Sequence, residues 1–309
     1  MAELTTGPAA PAHSLGSAGL VLGGAALFGT VGTAEVLGPA VPAAGLAAGR
    51  LLVAAVLLLG LAVVGGHGSA LPGCLRVGPT WWAGLGQACF NLCFLAAMLQ
   101  AGVAVGTLVA IGATPILTGL LTRQITRGWL VATGVAVAGL VLLVGGQAVG
   151  HSVLHPSVLG IALALGASAS YATYIIAGNA AVARGLPTTP YLAAAFAVSA
   201  VLTLPLLAFG EAGWLAQPSA WLLVGYLAVV PTVVAYSLFN RGLRGVRSAT
   251  ASTLGLLEPV VAALLATLVL GERLSAVAVV GALLILAGLV LIVRSSAGMT
   301  ESPGVRAIP

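Results

Sequence analysis

The chain has no lysine and no aspartate, and charged residues of all kinds make up only 6% of its 309 positions. An ordinary soluble domain carries roughly 25%. So few charges cannot cover a water-facing surface, and lipid must be the main solvent. The same scarcity excludes chemistries. Without lysine there is no Gly-Lys phosphate loop, which excludes ATP-driven work of that kind by this chain. Without aspartate, and with four scattered histidines and no His-Glu-x-x-His run, a nucleophile–base relay or a zinc hydrolase site lacks its parts. Cysteine is rare as well. Cys89 and Cys93 stand four apart in an apolar stretch and read as small core residues, not as a disulfide or metal pair; Cys74 stands apart. His151 and His155 form a His-x-x-x-His with no Glu, Asp or Cys beside it, so neither a metal nor any other cofactor is expected. The eleven cations are all arginine, dispersed over short loops without forming a patch, so no nucleic-acid partner is expected.

What is present is apolar: 60% of the residues are hydrophobic. A helix needs about 20 apolar residues to cross a hydrocarbon core of about 30 Å. Ten runs qualify: Ser17–Leu37, Ala43–Val64, Thr80–Leu99, Val103–Thr122, Gly128–Val144, Val158–Ala177, Tyr191–Phe209, Ala220–Phe239, Ser248–Leu270 and Ala276–Val293. Turn residues punctuate them, including Gly38-Pro39, Pro42, Pro72-Gly73, Gly145-Gly146, Pro187 and Gln217-Pro218. The N-terminus lacks the basic region and cleavage site of a signal peptide, so the first run is expected to remain as a helix. If the N-terminus is cytoplasmic, the inner loops and C-terminal tail hold Arg76, Arg123, Arg127, Arg184, Arg241, Arg244, Arg247, Arg294 and Arg306, leaving only Arg273 outside. Positive charge stays inside, so both termini are expected in the cytoplasm of a bacterial cell, with the spans in its plasma membrane. Trp81, Trp82, Trp129, Trp214 and Trp221 lie near run ends and read as anchors at the lipid interface.

The chain also matches itself. Phe28-Gly29-Thr30 aligns with Tyr171-Ala172-Thr173, and Gly102-Val103 with Gly245-Val246, at a shift of 143; Thr114-Pro115 aligns with Glu258-Pro259 at 144. Ala138-Gly139-Leu140-Val141-Leu142 returns as Ala287-Gly288-Leu289-Val290-Leu291 at 149. Chance similarity in an Ala/Leu/Val/Gly-rich sequence is the competing explanation, but the anchors keep their order. Five spans per half is an odd number, so the halves are expected to be inverted. The expected fold is therefore an all-α membrane protein of ten transmembrane helices in two inverted five-helix repeats. Residues 17–146 and 158–294 form the repeats, 147–157 an external linker, and 1–16 and 295–309 cytoplasmic tails. Inverted repeats place a small-molecule site near the bilayer midplane and permit alternating access.

Several strings are distinctive: Tyr236-Ser237-Leu238-Phe239-Asn240-Arg241-Gly242-Leu243, Ser248-Ala249-Thr250-Ala251, Leu257-Glu258-Pro259-Val260 and Leu270-Gly271-Glu272-Arg273-Leu274. With Phe28 through Glu35 and Gly49-Arg50-Leu51-Leu52, they resemble the EamA-type ten-helix transporters of the drug/metabolite transporter superfamily. The likeness covers about residues 15–295. It implies export of amino acids or other small metabolites. The fourth helix departs from the family pattern, since Leu120-Leu121-Thr122-Arg123 replaces a longer stretch ending in Gly-Glu.

A charge at the bilayer centre costs at least about 2.5 kcal/mol, so each one inside a span needs a reason. Glu258 falls near the middle of the ninth run. It is the candidate substrate-ammonium or proton site, with a structural carboxyl as the alternative. Pro259 strengthens the candidacy by freeing a carbonyl one turn back. Arg50 and Glu35 lie in the outer half of the first hairpin and are expected to pair across the Gly38–Pro42 turn, either as structure or as part of the site. Gln87 with Asn91, and Thr232 with Tyr236, are four apart and share helix faces; Tyr171 and Tyr174 complete the candidate lining. Hydrogen bonding between helices is the alternative role for each. Gly-x-x-x-Gly pairs such as Gly45–Gly49 are expected by chance among 43 glycines and do not decide between monomer and homodimer. The sequence thus points to a secondary active exporter of small metabolites or amphipathic compounds, with the proton as the candidate coupling ion. A passive facilitator and, more remotely, a membrane-embedded enzyme are its rivals.

Overall fold

The computed structural model describes residues 15–148, 157–208 and 212–297. The tails, the His151–His155 loop and Glu211 lie outside these residues. Ten helices are long and apolar enough to cross a membrane: α1 Leu15–Leu37, α2 Ala43–Val64, α3 Gly78–Ala101, α4 Val103–Thr122, α5 Arg127–Gln147, α6 Val158–Ala183, α7 Thr188–Leu207, α8 Pro218–Gly242, α9 Ser248–Leu270 and α10 Ala276–Ser295. All ten expected runs are present. The largest difference is α6, which continues beyond the expected end at Ala177, where Gly178 passes close to Asn240 and Leu243 and Asn179 bonds the loop after α8.

Local chemistry sets the helix ends. Ser157 caps α6, its Oγ accepting from Gly160 N at 2.9 Å. Gly102 alone separates α3 from α4, with φ of 80°. The C-cap of α9 is Gly271 at φ 74°, whereas α4 ends on Arg123 at φ 54°, a left-handed conformation that costs about 1–2 kcal/mol without glycine.

Three spans are interrupted inside the bilayer. α1 breaks at Gly29–Thr30, where Thr30 Oγ1 donates to Leu27 O at 2.8 Å. α8 contains a π-helical stretch, Val229–Val234. Pro231 lacks the N–H that would reach Leu227 O, and the Thr232 hydroxyl takes that carbonyl at 2.7 Å. α9 breaks between Leu254 and Leu257, and Gly255 O accepts from Glu258 N at 3.0 Å. Pro259 thus lies in the first turn of a new helical segment, where a missing N–H is harmless.

The packing follows a pattern. α3 lies on α6 and α1 on α8; α4 lies on α6 and α1 on α9; α3 lies on α7 and α2 on α8; α2–α7, α4–α9 and α5–α10 complete the set. Small residues permit the approach. A Cβ at Gly281 of α10 would sit 2.3 Å from Leu143 N of α5, one at Gly139 2.6 Å from Gly281 O, and one at Gly288 2.7 Å from Ala132 O. Gly139 and Gly288, aligned by the self-match, thus each lean on the partner helix's backbone.

Two of the five tryptophans are not interface anchors. Trp129 and Trp214 are 5% and 4% exposed. Trp129 donates Nε1 to Ala249 O at 3.0 Å and covers Gly119, while Trp214 covers Gly45 and Gly49. Glycine across the interface leaves room for each indole. Trp81, Trp82 and Trp221 remain exposed at span ends as expected.

Adding a methyl at the α5–α10 contact should force the helices apart. Gly281→Ala is expected to lower stability by about 1–3 kcal/mol in detergent unfolding. Gly134→Ala, where a Cβ meets nothing within 4 Å, should be neutral or mildly stabilising. Equal losses for both would refute the close-packing account.

Candidate functional site

Residues four apart on α8 and α3 face one another. Tyr236 donates its hydroxyl to Gln87 Oε1 at 3.0 Å. Asn91, one turn on from Gln87, donates Nδ2 to Gln87 O at 2.7 Å and accepts from Arg50 Nη2 of α2 at 2.7 Å. On the other side Asn240, one turn on from Tyr236, donates Nδ2 to Tyr236 O at 2.9 Å and to the Tyr174 hydroxyl of α6. A continuous polar chain therefore crosses α2, α3, α8 and α6.

Aromatic rings enclose its centre. Tyr236 is 7% exposed, with ring centroids 4.8 Å from Phe28, 5.0 Å from Phe196 and 5.2 Å from Tyr174. Tyr171 lies parallel to Tyr174 at 6.1 Å and tilts against Phe90 at 5.2 Å. Such tilted and edge-on pairs each add about 0.5–1.5 kcal/mol and hold the rings in place.

Glu258 occupies the first turn of Leu257–Leu270, just past the break in α9. The N-terminal end of a helix favours negative charge there. Its backbone is crossed closely by α1, since a Cβ at Gly29 would lie 2.7 Å from Glu258 O. Only glycine allows the two interrupted helices to touch at this point. The carboxyl is half-buried and interacts electrostatically with Arg50, Tyr171 and Tyr236. Among the described residues it accepts no hydrogen bond and joins no ion pair.

The expected Glu35–Arg50 ion pair is not formed. Arg50 gives one terminal nitrogen to Asn91 instead, and its buried Nε–H has no partner. Glu35 lies beyond the α1 break on Val31–Leu37, a segment with no buried residue. Arg50 still acts on it through the field, without contact. Thr232, the other departure, is buried and turned back to its own helix as the π-turn seal.

Gln87, Asn91, Arg50, Tyr174 and Tyr236 are thus brought into one network, with Tyr171 against its aromatic wall and Glu258 within its field. Sequence reasoning missed Asn240, Phe28, Phe196 and the helix breaks. The four-residue step from Tyr236 to Asn240 was the available signal for the first, and Gly29 and Gly255 for the breaks. No cluster of three or more His, Cys, Asp or Glu able to hold a metal occurs among the described residues. Cys74 is buried in the short helix Leu71–Leu75 against α7, and burial pushes its thiol above the usual range.

Comparison with known proteins bears on this arrangement. Residues 158–294 match the EamA-like transporter family. The chain is 34% identical over 284 residues to the uncharacterized transporter YwfM of Bacillus subtilis, covering 88% of this chain and 92% of that one. It is 33% identical over 156 residues to the threonine/homoserine exporter RhtA of Escherichia coli K12, covering 50% and 49%. A crystal structure with no further description superposes with a TM-score of 0.78 over 93% of this chain and 99% of its own, at 21% identity, a likeness of fold alone. The chain is a multi-pass membrane protein that belongs to the EamA-like transporters of the drug/metabolite transporter superfamily.

Proposed function

We propose that the chain is a secondary active exporter of small zwitterionic or amphipathic metabolites, working by alternating access of two inverted five-helix halves in a bacterial plasma membrane. The observation that carries this reading is the relation of Arg50 to Glu258. The Arg50 cation is held in an aromatic-walled polar network inside the bundle, and the Glu258 anion lies within its field without closing on it. An amino acid carries both charges on one carbon. Its carboxylate suits the open Nε–H of Arg50 and its ammonium suits Glu258. A proton can replace the ammonium at Glu258, and that competition is the minimal chemistry of antiport. The threonine/homoserine exporter among the partial relatives makes L-threonine and L-homoserine the first substrates to try.

The helix packing supports the two-halves reading, because the main contacts keep their place when every span is exchanged for the one five later: α3–α6 becomes α1–α8, α4–α6 becomes α1–α9 and α3–α7 becomes α2–α8. Arginine placement supports cytoplasmic termini. Cysteine-free protein carrying Ser152→Cys should react with an impermeant maleimide added outside intact cells. Labelling only after permeabilisation would reverse the orientation.

Glu258→Gln separates coupling from architecture. In proteoliposomes with an imposed pH gradient, the native chain should accumulate labelled L-threonine or L-homoserine against its gradient. The variant is expected to fold, to lose uphill transport at least tenfold and to retain exchange of preloaded substrate. Unchanged uphill rates would make the carboxyl structural. Transport that only ever runs downhill in the native chain would make it a facilitator.

A further inference from the structure

One end of the bundle is tied by polar contacts gathered on both sides of a single helical segment. At the end carrying Arg241, Arg244 and Arg247, the first segment of α9, Ser248–Leu254, has every residue buried. On one side of it Asn179 of α6 donates Nδ2 to Leu243 O and Val246 O, each at 3.3 Å, and accepts from Ser248 Oγ at 3.0 Å. On the other side Gln124 Oε1 accepts from Ala249 N at 3.2 Å, and the Thr133 and Thr253 hydroxyls meet at 2.9 Å. Arg244 Nη2 ties the preceding loop to Thr188 Oγ1 at the start of α7, at 2.8 Å.

The self-alignment gives the counterparts. At the shift of 143, Val36 stands for Asn179 and Val105 for Ser248. Valine can neither donate nor accept, so the pair that is polar at one end is apolar at the other. Packing follows the chemistry. Val36 is 67% exposed, and Val31–Leu37 has no buried residue. In the stretch 105–111, counterpart of the sealed segment, only Gly106 and Ala110 are buried. The second segment of α9, Leu257–Leu270, buries only Pro259 and Ala263.

We propose that Asn179 is a latch for the arginine-bearing end, and that the chain stands here closed at that end and open at the other. The proposal rests on the two-halves reading given above. Hydrogen bonds suit a contact that must open. Each contributes little net stability, because water replaces it on separation. A seal made only of packed apolar side chains would instead expose its surface at every opening. The Asn/Ser pair against the Val/Val pair also makes the two end-states unequal. The resting protein is thereby biased toward one face.

Thiol accessibility tests this without any substrate. Ser252 lies in the sealed segment at 3% exposure. Ser252→Cys, in a chain freed of Cys74, Cys89 and Cys93 and placed in lipid nanodiscs, should react slowly with a small maleimide. Asn179→Val, which copies the opposite end, should speed labelling about tenfold with the unfolding midpoint held above the assay temperature. The converse variant, Val36→Asn with Val105→Ser, adds a latch at the open end and should speed labelling of the same cysteine. It decides the question alone if Asn179→Val does not fold. An unchanged rate in the folded variants overturns the proposal. Failure to transport threonine or homoserine would count against the substrate reading and leave this result standing.

Discussion

Everything in this bundle answers to one constraint: inside lipid, each backbone N–H and C=O must find its partner within the protein. An unbroken helix meets the demand by itself. Three of the ten spans do not, and each interruption carries its own repair. Thr30 takes the Leu27 carbonyl, Thr232 takes the one Pro231 leaves open, and Glu258 N takes that of Gly255. Non-helical backbone at membrane depth is tolerated where protein or a cavity receives it. Here the breaks in α1 and α9 meet at Gly29 and Glu258, and the π-turn of α8 leads into Tyr236, so the irregular backbone gathers around the polar network.

The network itself balances opposing costs. A buried arginine without a partner is expensive, and a closed ion pair with Glu258 would cancel both charges. Asn91 resolves this with a neutral acceptor that orients the guanidinium without neutralising it. Gln87 plays the same part for Tyr236, whose hydroxyl is fixed while its ring remains one wall of the aromatic enclosure.

Much of this was legible in the sequence. The spans follow from length and apolarity alone, and the shared face of Gln87 and Asn91 from their i, i+4 spacing, whereas the hydrogen bond from Tyr236 to Gln87 depends on the packing of α8 against α3. The expected Glu35–Arg50 pair failed because adjacency across a short turn says nothing about the break at Gly29–Thr30, beyond which Glu35 lies on an exposed segment. Trp129 and Trp214 misled for a related reason. Position near a span end suggests the lipid interface, but the glycine facing each indole sits on another helix, and only the packing of the two shows it. Pro259 was read as an interruption within a helix. It is instead the opening turn of a new segment, because Gly255 had already ended the old one.

Gly102 alone joins α3 to α4, with its amide bonded to Met98 O and its carbonyl to Gly106 N. A joint of one residue has no slack. The two spans form a fixed hairpin, and α3, bearing Gln87 and Asn91, cannot shift without drawing α4 and its Thr114 along. For anyone dividing the chain into separately expressed pieces or inserting a reporter domain, this is the junction to leave intact: a foreign segment there would unseat two helices at once.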